Sequence, residues 1–277
     1  MLAQGSFVAV VLFTGRTMHK IVKPGLSWRR TCLLLGGLIA LVSPQAEAVI
    51  WSDSLLAPPT DQVGVMQHVG RGRVRYSRFG VFGGSCVWVG ERWVLTASHG
   101  VKAWPAGALK VEFPAHGAEG WAVQAIHLPS DEKVDLALLE LKEPLKFEKP
   151  VTLDARRLHA GARIHLGGFG SYGPAGNIKG SNRFHWGTNT LDSATVALAR
   201  FSLSSPAQSK PHEALPAMFD SGSPVFLVEG KRELLSGVVI RVSHALGPNV
   251  GDRAVITSLS GQVEWIKQVA SDLQWRE

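Results

Sequence analysis

Three short segments carry side chains that could together do nucleophilic chemistry. Trp93-Val94-Leu95-Thr96-Ala97-Ser98-His99 is an apolar run that delivers one histidine at its end. Val134-Asp135-Leu136-Ala137-Leu138-Leu139 holds a single aspartate inside a second apolar run. Phe219-Asp220-Ser221-Gly222-Ser223-Pro224 offers a serine in a stretch built for a turn. A serine hydroxyl attacks little until a base takes its proton, and a neutral imidazole is suited to that near pH 7. An acid behind the imidazole would hold its tautomer and stabilise the imidazolium formed during reaction.

Each part makes its own case. His99 follows a run that reads as a buried strand and sits where the chain turns at Gly100, a context shared by none of the other histidines. His159 and His165 are separated by loop-like sequence, so no metal pair is expected, and no cofactor is implied. On alternating strand geometry Asp135 shares a face with Ala137, Leu139 and Leu141, while Val134, Leu136 and Leu138 occupy the other. A carboxylate placed there is desolvated at considerable cost unless it is paired, and an imidazole N–H is a fitting partner. Asp-Ser-Gly alone is ordinary turn chemistry. It gains meaning only if the fold brings Ser221 to a histidine far away in the chain.

The positioning elements are strands. The chain has 277 residues, 45% of them hydrophobic, enough for one large domain or two small ones with real cores rather than a disordered segment. Its 30 glycines and 15 prolines separate short apolar runs, which favours an all-β architecture. Strands are predicted at Phe82–Val89, Arg92–Ala97, Leu109–Phe113, Trp121–Leu128 and Val134–Leu141. After a connector from Lys142 to Pro150, a second set covers Ala162–Gly168, Thr195–Leu203, Pro224–Val228, Glu233–Arg241 and Ala254–Leu259. Two successive sets suggest two packed barrels, one over residues 70–145 and one over 155–260. Val263, Ile266, Ala270 and Leu273 are then spaced like one helix face, predicting a C-terminal helix over 261–274 with Ser260 as its cap.

The N-terminal segment reads as a signal. Arg29-Arg30 precede an apolar run from Leu33 to Val42, followed by Ser43-Pro44-Gln45-Ala46-Glu47-Ala48, a small-x-small cleavage site. Residues 1–48 are therefore expected to be a signal peptide, with Met18 as an alternative start of ordinary signal length, and residues 49–277 the working domain. Without residues 1–48 the chain keeps 24 basic and 21 acidic residues, a formal charge of +3 against +7 for the whole sequence. Arg71, Arg73 and Arg75 form the only dense basic stretch and read as a solvated loop, so nucleic acid is not an expected partner. Cys32 falls in the signal, leaving Cys86 alone as a buried thiol with no disulfide to form. The expected location is exported, periplasmic or secreted, with no stable membrane association once the signal is removed.

Taken together, these residues resemble the trypsin/chymotrypsin-like serine peptidases, and among them the disulfide-poor exported bacterial members. The resemblance runs from about Arg78 to Ala270. It rests on Gly83-Gly84-Ser85, the run from Trp93 to His99, Asp135-Leu136-Ala137-Leu138-Leu139, Gly168-Phe169-Gly170, Asp220-Ser221-Gly222-Ser223-Pro224, Ser236-Gly237-Val238-Val239 and Trp265-Ile266-Lys267-Gln268. It implies two perpendicular six-stranded antiparallel β-barrels with a C-terminal helix and a cleft between the barrels. His99 would be the general base, Asp135 its orienting acid and Ser221 the nucleophile of a serine endopeptidase that works through an acyl-enzyme on protein or peptide substrates.

The resemblance also implies finer roles. The backbone N–H groups of Phe219 and Ser221 would form the oxyanion hole, with Phe219 standing where the family usually carries glycine. Leu215 stands where trypsin-like members place a pocket-base aspartate. With Arg241, Val242 and Ala254 it predicts a shallow apolar specificity pocket that does not select Lys or Arg. Asp220, the acid before the nucleophile, would pair with a free N-terminal ammonium, and cleavage after Ala48 would supply one at Val49. The alternatives are a relative that binds peptides without cutting them and an esterase using the same triad. The lack of a Gly-x-Ser-x-Gly elbow weighs against the esterase.

Overall fold

The computed structural model describes residues 49–52, 59–74, 82–117, 119–147, 149–175, 183–243 and 249–276. The predicted signal over residues 1–48, with Met18 and Cys32, lies outside them.

Six strands, Val69–Val74, Phe82–Gly90, Trp93–Thr96, Leu109–Glu112, Gly120–His127 and Ala137–Leu141, close into an antiparallel barrel. Cys86, Trp88, Val94, Val111, Leu139 and Leu141 form one buried cluster of this barrel. Val87, Val89, Leu95 and Leu138, at alternating positions on the same strands, join Phe226, Leu235, Val238 and Ile266 in another. The period-two pleat thus sends one set of side chains into the barrel and the other against the second sheet. Strands buried on both faces read as unbroken apolar runs, which is why Trp93–Thr96 and Ala137–Leu141 show no polar alternation. Each Val or Leu fully buried in such a layer contributes about 1.5–3 kcal/mol, so apolar packing holds the two sheets together.

The second set makes a half-barrel sheet of nine strands. Seven follow the order His185–Thr190, Arg163–Gly168, Pro224–Glu229, Arg232–Val242, Arg253–Ser258, Leu198–Ser202, Ser193–Ala194. Leu153–Asp154 pairs in parallel with Arg232–Val242 and also with the last strand, Trp275–Arg276. The fold is all-β as expected, with a closed six-stranded barrel first and a half-barrel sheet where a second six-stranded barrel was expected.

Several local expectations shift. Val69–Val74 is a barrel strand rather than a solvated loop, paired on both sides with Phe82–Gly90 and Leu109–Glu112, and Glu112 takes both Arg71 and Arg73 in ion pairs of 2.8 Å. Arg75 lies outside the described residues. The helix spans Val263–Val269 only. Ser260 does not cap it, since the Ser260 hydroxyl donates to the Val196 carbonyl at 3.2 Å and the residue lies in a 3-10 turn, Leu259–Gly261. Beyond Ala270 the chain leaves the helix to pair Trp275–Arg276 with Leu153–Asp154. Ile266, Ala270 and Leu273 are all buried, so the apolar phase continues past the helix itself. No helix among the described residues is long and apolar enough to cross a membrane.

A short strand, Val49–Trp51, opens the described chain and runs parallel to Tyr172–Pro174. Ile50 exchanges two backbone hydrogen bonds with Leu215, of 2.9 and 2.8 Å, which fastens this strand to the second half of the molecule.

Candidate active site

Thr96 lies opposite Ala137 in the antiparallel pair Trp93–Thr96 and Ala137–Leu141. Residues just after the first strand and just before the second therefore emerge at the same end of the barrel. Ala97 leads into a 3-10 turn, Ser98–Gly100, that carries His99. Asp135 sits two residues ahead of its strand, not inside it as expected, and this frees its carboxylate to face the turn. One carboxylate oxygen accepts the Ser98 hydroxyl and the His99 backbone N–H, both at 2.9 Å. The other lies 2.6 Å from Nδ1 of His99. Burial pushes the Asp135 pKa up, but hydrogen bonds from the His99 ring and backbone and from Ser98 outweigh it and hold the group below the usual carboxylate range.

Ser221 arrives from the other half of the chain. Its Oγ lies 2.9 Å from Nε2 of His99, across 122 positions of sequence. The turn holding it is pinned from both sides. Gly222 N–H donates to the Val239 carbonyl at 2.8 Å, and Ser85 N–H donates to the Ser221 carbonyl at 2.8 Å. Two glycines allow this approach. A Cβ on Gly84 (φ +119) would fall 2.4 Å from the Ser221 carbonyl oxygen, and one on Gly222 (φ +88) would fall 2.0 Å from the Ser85 carbonyl oxygen. Glycine alone provides both the left-handed backbone and the space. The motifs Gly83-Gly84-Ser85 and Asp220-Ser221-Gly222 are two sides of one contact between the barrel and the half-barrel.

Phe219 adopts φ +71 and is 40% exposed. The N–H of Ser221 has no acceptor among the described residues. A cavity of about 200 Å³ opens beside Ser221, between Pro216–Phe219 and Val239–Val242. Arg241 and Val242 line it as expected. Leu215 and Ala254 do not, since both have zero exposure and sit in the half-barrel core, Leu215 bonded to Ile50 and Ala254 paired with Phe201 and Val242. Matching the strand at Ile240-Arg241-Val242 to the family placed two residues at the cavity, while counting back from Ser221 to Leu215 led into the core, because the direction of a side chain depends on packing that such a count ignores.

Asp220 is fully buried. Its carboxylate accepts the backbone N–H groups of Ala217 and Gly170, each at 2.9 Å, and that of Val49. Burial outweighs these donors and raises its pKa to about 7. Val49 is itself buried, with φ +66. The two residues of the expected activation pair are thus neighbours, linked through the Val49 backbone nitrogen.

The sequence reading assigned no role to Ser98, whose hydroxyl steadies Asp135, or to Thr257, whose hydroxyl donates to the Asp135 carbonyl at 3.3 Å. A polar pair at Thr96 and Ser98, ending an otherwise apolar run, was a usable signal for the first. Nothing local marks Thr257. Cys86 is a free, buried thiol whose pKa burial raises well above the ordinary. Among the described residues no three His, Cys, Asp or Glu side chains group as a metal site would need.

Comparison with known proteins fits this geometry. Residues 84–232, a span that includes His99, Asp135 and Ser221, match the family model described as a trypsin-like peptidase domain. None of the curated proteins matches the chain. Among solved structures, a scabies mite inactivated protease paralogue superposes with a TM-score of 0.59 at 17% identity, covering 78% of this chain and 99% of the other. At that identity the likeness speaks for the fold alone. The matched span and the ordered His-Asp-Ser motifs within it identify the chain as a member of the trypsin-like peptidase domain family.

Proposed function

We propose that this protein is an exported serine endopeptidase with His99 as general base, Asp135 as orienting acid and Ser221 as nucleophile. The observation that carries the reading is the unbroken hydrogen-bonded line from Asp135 through Nδ1 and Nε2 of His99 to Ser221 Oγ, with separations of 2.6 and 2.9 Å. In this arrangement His99 takes the Ser221 proton as Oγ attacks a peptide carbonyl. The imidazolium that forms faces an ionised Asp135 and then protonates the leaving amine. Water, with His99 again as base, releases the acyl group. The N–H groups of Phe219 and Ser221 receive the oxyanion, where losing one donor costs about 2.7–4 kcal/mol.

Signal removal after Ala48 is the proposed activating step. It would convert the Val49 N–H at Asp220 into an ammonium, placing a positive charge against a carboxylate that burial otherwise disfavours. Ala217, Met218, Val239 and Val242 give the cavity an apolar lining with no carboxylate among the described residues, which suits small aliphatic side chains and not Lys or Arg.

A fluorophosphonate probe tests the reading. Labelling of the mature protein that disappears in Ser221→Ala is the expected result, whereas no labelling of folded protein overturns it. The second reading, a peptide binder that does not cut, is favoured by Phe219 holding a left-handed backbone where the family carries glycine. Peptide against ester turnover separates the endopeptidase from an esterase using the same three residues.

A further inference from the structure

Among the described residues Arg241 is the one charged side chain lining the cavity beside Ser221. It is exposed and carries no ion pair among the described residues. The acids flanking it in sequence are engaged elsewhere. Glu233 lies on His165, and Asp252 accepts the Ser243 hydroxyl and the Asn249 backbone N–H. A guanidinium with no ion-pair partner among the described residues, beside a reactive serine, is suited to a carboxylate, which it binds with two parallel donors. The position limits where that carboxylate must be. Arg241 lies two residues beyond Val239, whose carbonyl accepts the Gly222 N–H, on the strand Arg232–Val242. At about 3.3 Å per extended residue, the guanidinium is within reach of side chains close to the attacked bond.

We propose that Arg241 is a specificity-determining residue that selects peptides with a carboxylate side chain within three residues of the cleaved bond and an aliphatic side chain in the cavity. The proposal rests on Ser221 marking the place of that bond. Two features of the site act together. The apolar lining of the cavity rejects a charged side chain at its centre, because burying an unpaired charge is costly. The rim meanwhile holds a cation in a solvated setting, where an ion pair forms without that penalty. Substrates with lysine or arginine near the bond would meet like charge at the rim.

Paired peptides that differ only in Glu against Gln, two residues from an Ala–Ala bond, provide the test. The wild-type protein should cleave the Glu peptide about fivefold better in kcat/KM at low salt, as an exposed ion pair allows. The advantage should shrink as salt rises. Arg241→Gln should bring the ratio near one, and Arg241→Lys, which keeps the charge but not the paired donors, should give an intermediate ratio. Equal handling of the two peptides by the wild type overturns the proposal. Binding of the same peptides to Ser221→Ala, followed by fluorescence anisotropy, separates this outcome from failure of the hydrolase reading. A Glu preference in binding that Arg241→Gln removes sustains the role of Arg241 even if no peptide is cut. No preference in binding sinks it even if both peptides are cut.

Discussion

The backbone nitrogen of Val49 is hydrogen-bonded to the buried carboxylate of Asp220, the residue directly before Ser221. Val49–Trp51 is held there by Tyr172–Pro174 and by paired backbone bonds to Leu215, so the contact belongs to a built strand. A group as deeply buried as Asp220 prefers to be neutral unless a full positive charge faces it.

This gives the first prediction. Protein whose chain begins at Val49 should be active, and the same protein extended by two residues should lose turnover, because an amide nitrogen cannot supply the charge. Equal turnover of the two forms excludes the idea. The extended form should also lose stability as pH rises from about 4 toward 7. Over that range the unfolded chain has released the Asp220 proton, while the folded one, with a pKa of about 7, still holds it. Urea unfolding at several pH values reads this directly.

Asp135→Asn should leave the fold intact and lower kcat by about 10⁴-fold, since an amide can no longer hold the productive imidazole tautomer. The expected signature is a circular dichroism spectrum like that of the parent together with very slow fluorophosphonate labelling. Rapid labelling of the variant would show that Asp135 does not orient His99.

Phe219 holds φ +71, a conformation that costs an L side chain about 1–2 kcal/mol relative to glycine. Phe219→Gly should therefore be more stable than Phe219→Ala by about 1 kcal/mol, because both remove the ring and only one removes the strain. Thermal unfolding of the two variants decides it, and equal midpoints would mean that the backbone relaxes there at little cost.

His68 is buried, and burial, with a smaller contribution from His116, lowers its pKa to about 4. The rings of His68 and His116 stack at 6.1 Å. A depressed histidine contributes its stability above its unfolded pKa and loses it as pH falls. Stability should then decline as pH drops from about 6.5 to 4, where the unfolded chain takes up a proton that the folded one refuses. His68→Leu should flatten that decline in urea titrations, and an unchanged slope would assign the effect to another group.

Much of the candidate site was legible in the order of residues. His99, Asp135 and Ser221 could be picked out because each sits in a short motif whose physics is local: a buried strand ending in a turn, an acid among aliphatics, a glycine beside a serine. Asp220 was reached only through the family resemblance. The apolar phase of Ile266, Ala270 and Leu273 was legible for the same reason. The limits of those elements were not. Asp135 left its strand and the helix stopped at Val269, because pairing partners far along the chain decide where an element ends. Arg71 and Arg73 are strand residues because Val69–Val74 pairs with strands on both sides, and Glu112 on one of them takes both guanidinium groups.

The chain's letters alone supplied the chemical groups, their order and the alternation of strands and turns, since these follow from side-chain type and near-neighbour geometry. Tertiary structure decided what faces what: His99 within 2.9 Å of Ser221, Val49 against Asp220, Arg241 at the cavity while Leu215 and Ala254 turn into the core. Such contacts join residues tens to more than a hundred positions apart. They depend on how two sheets pack, which no short window of sequence encodes.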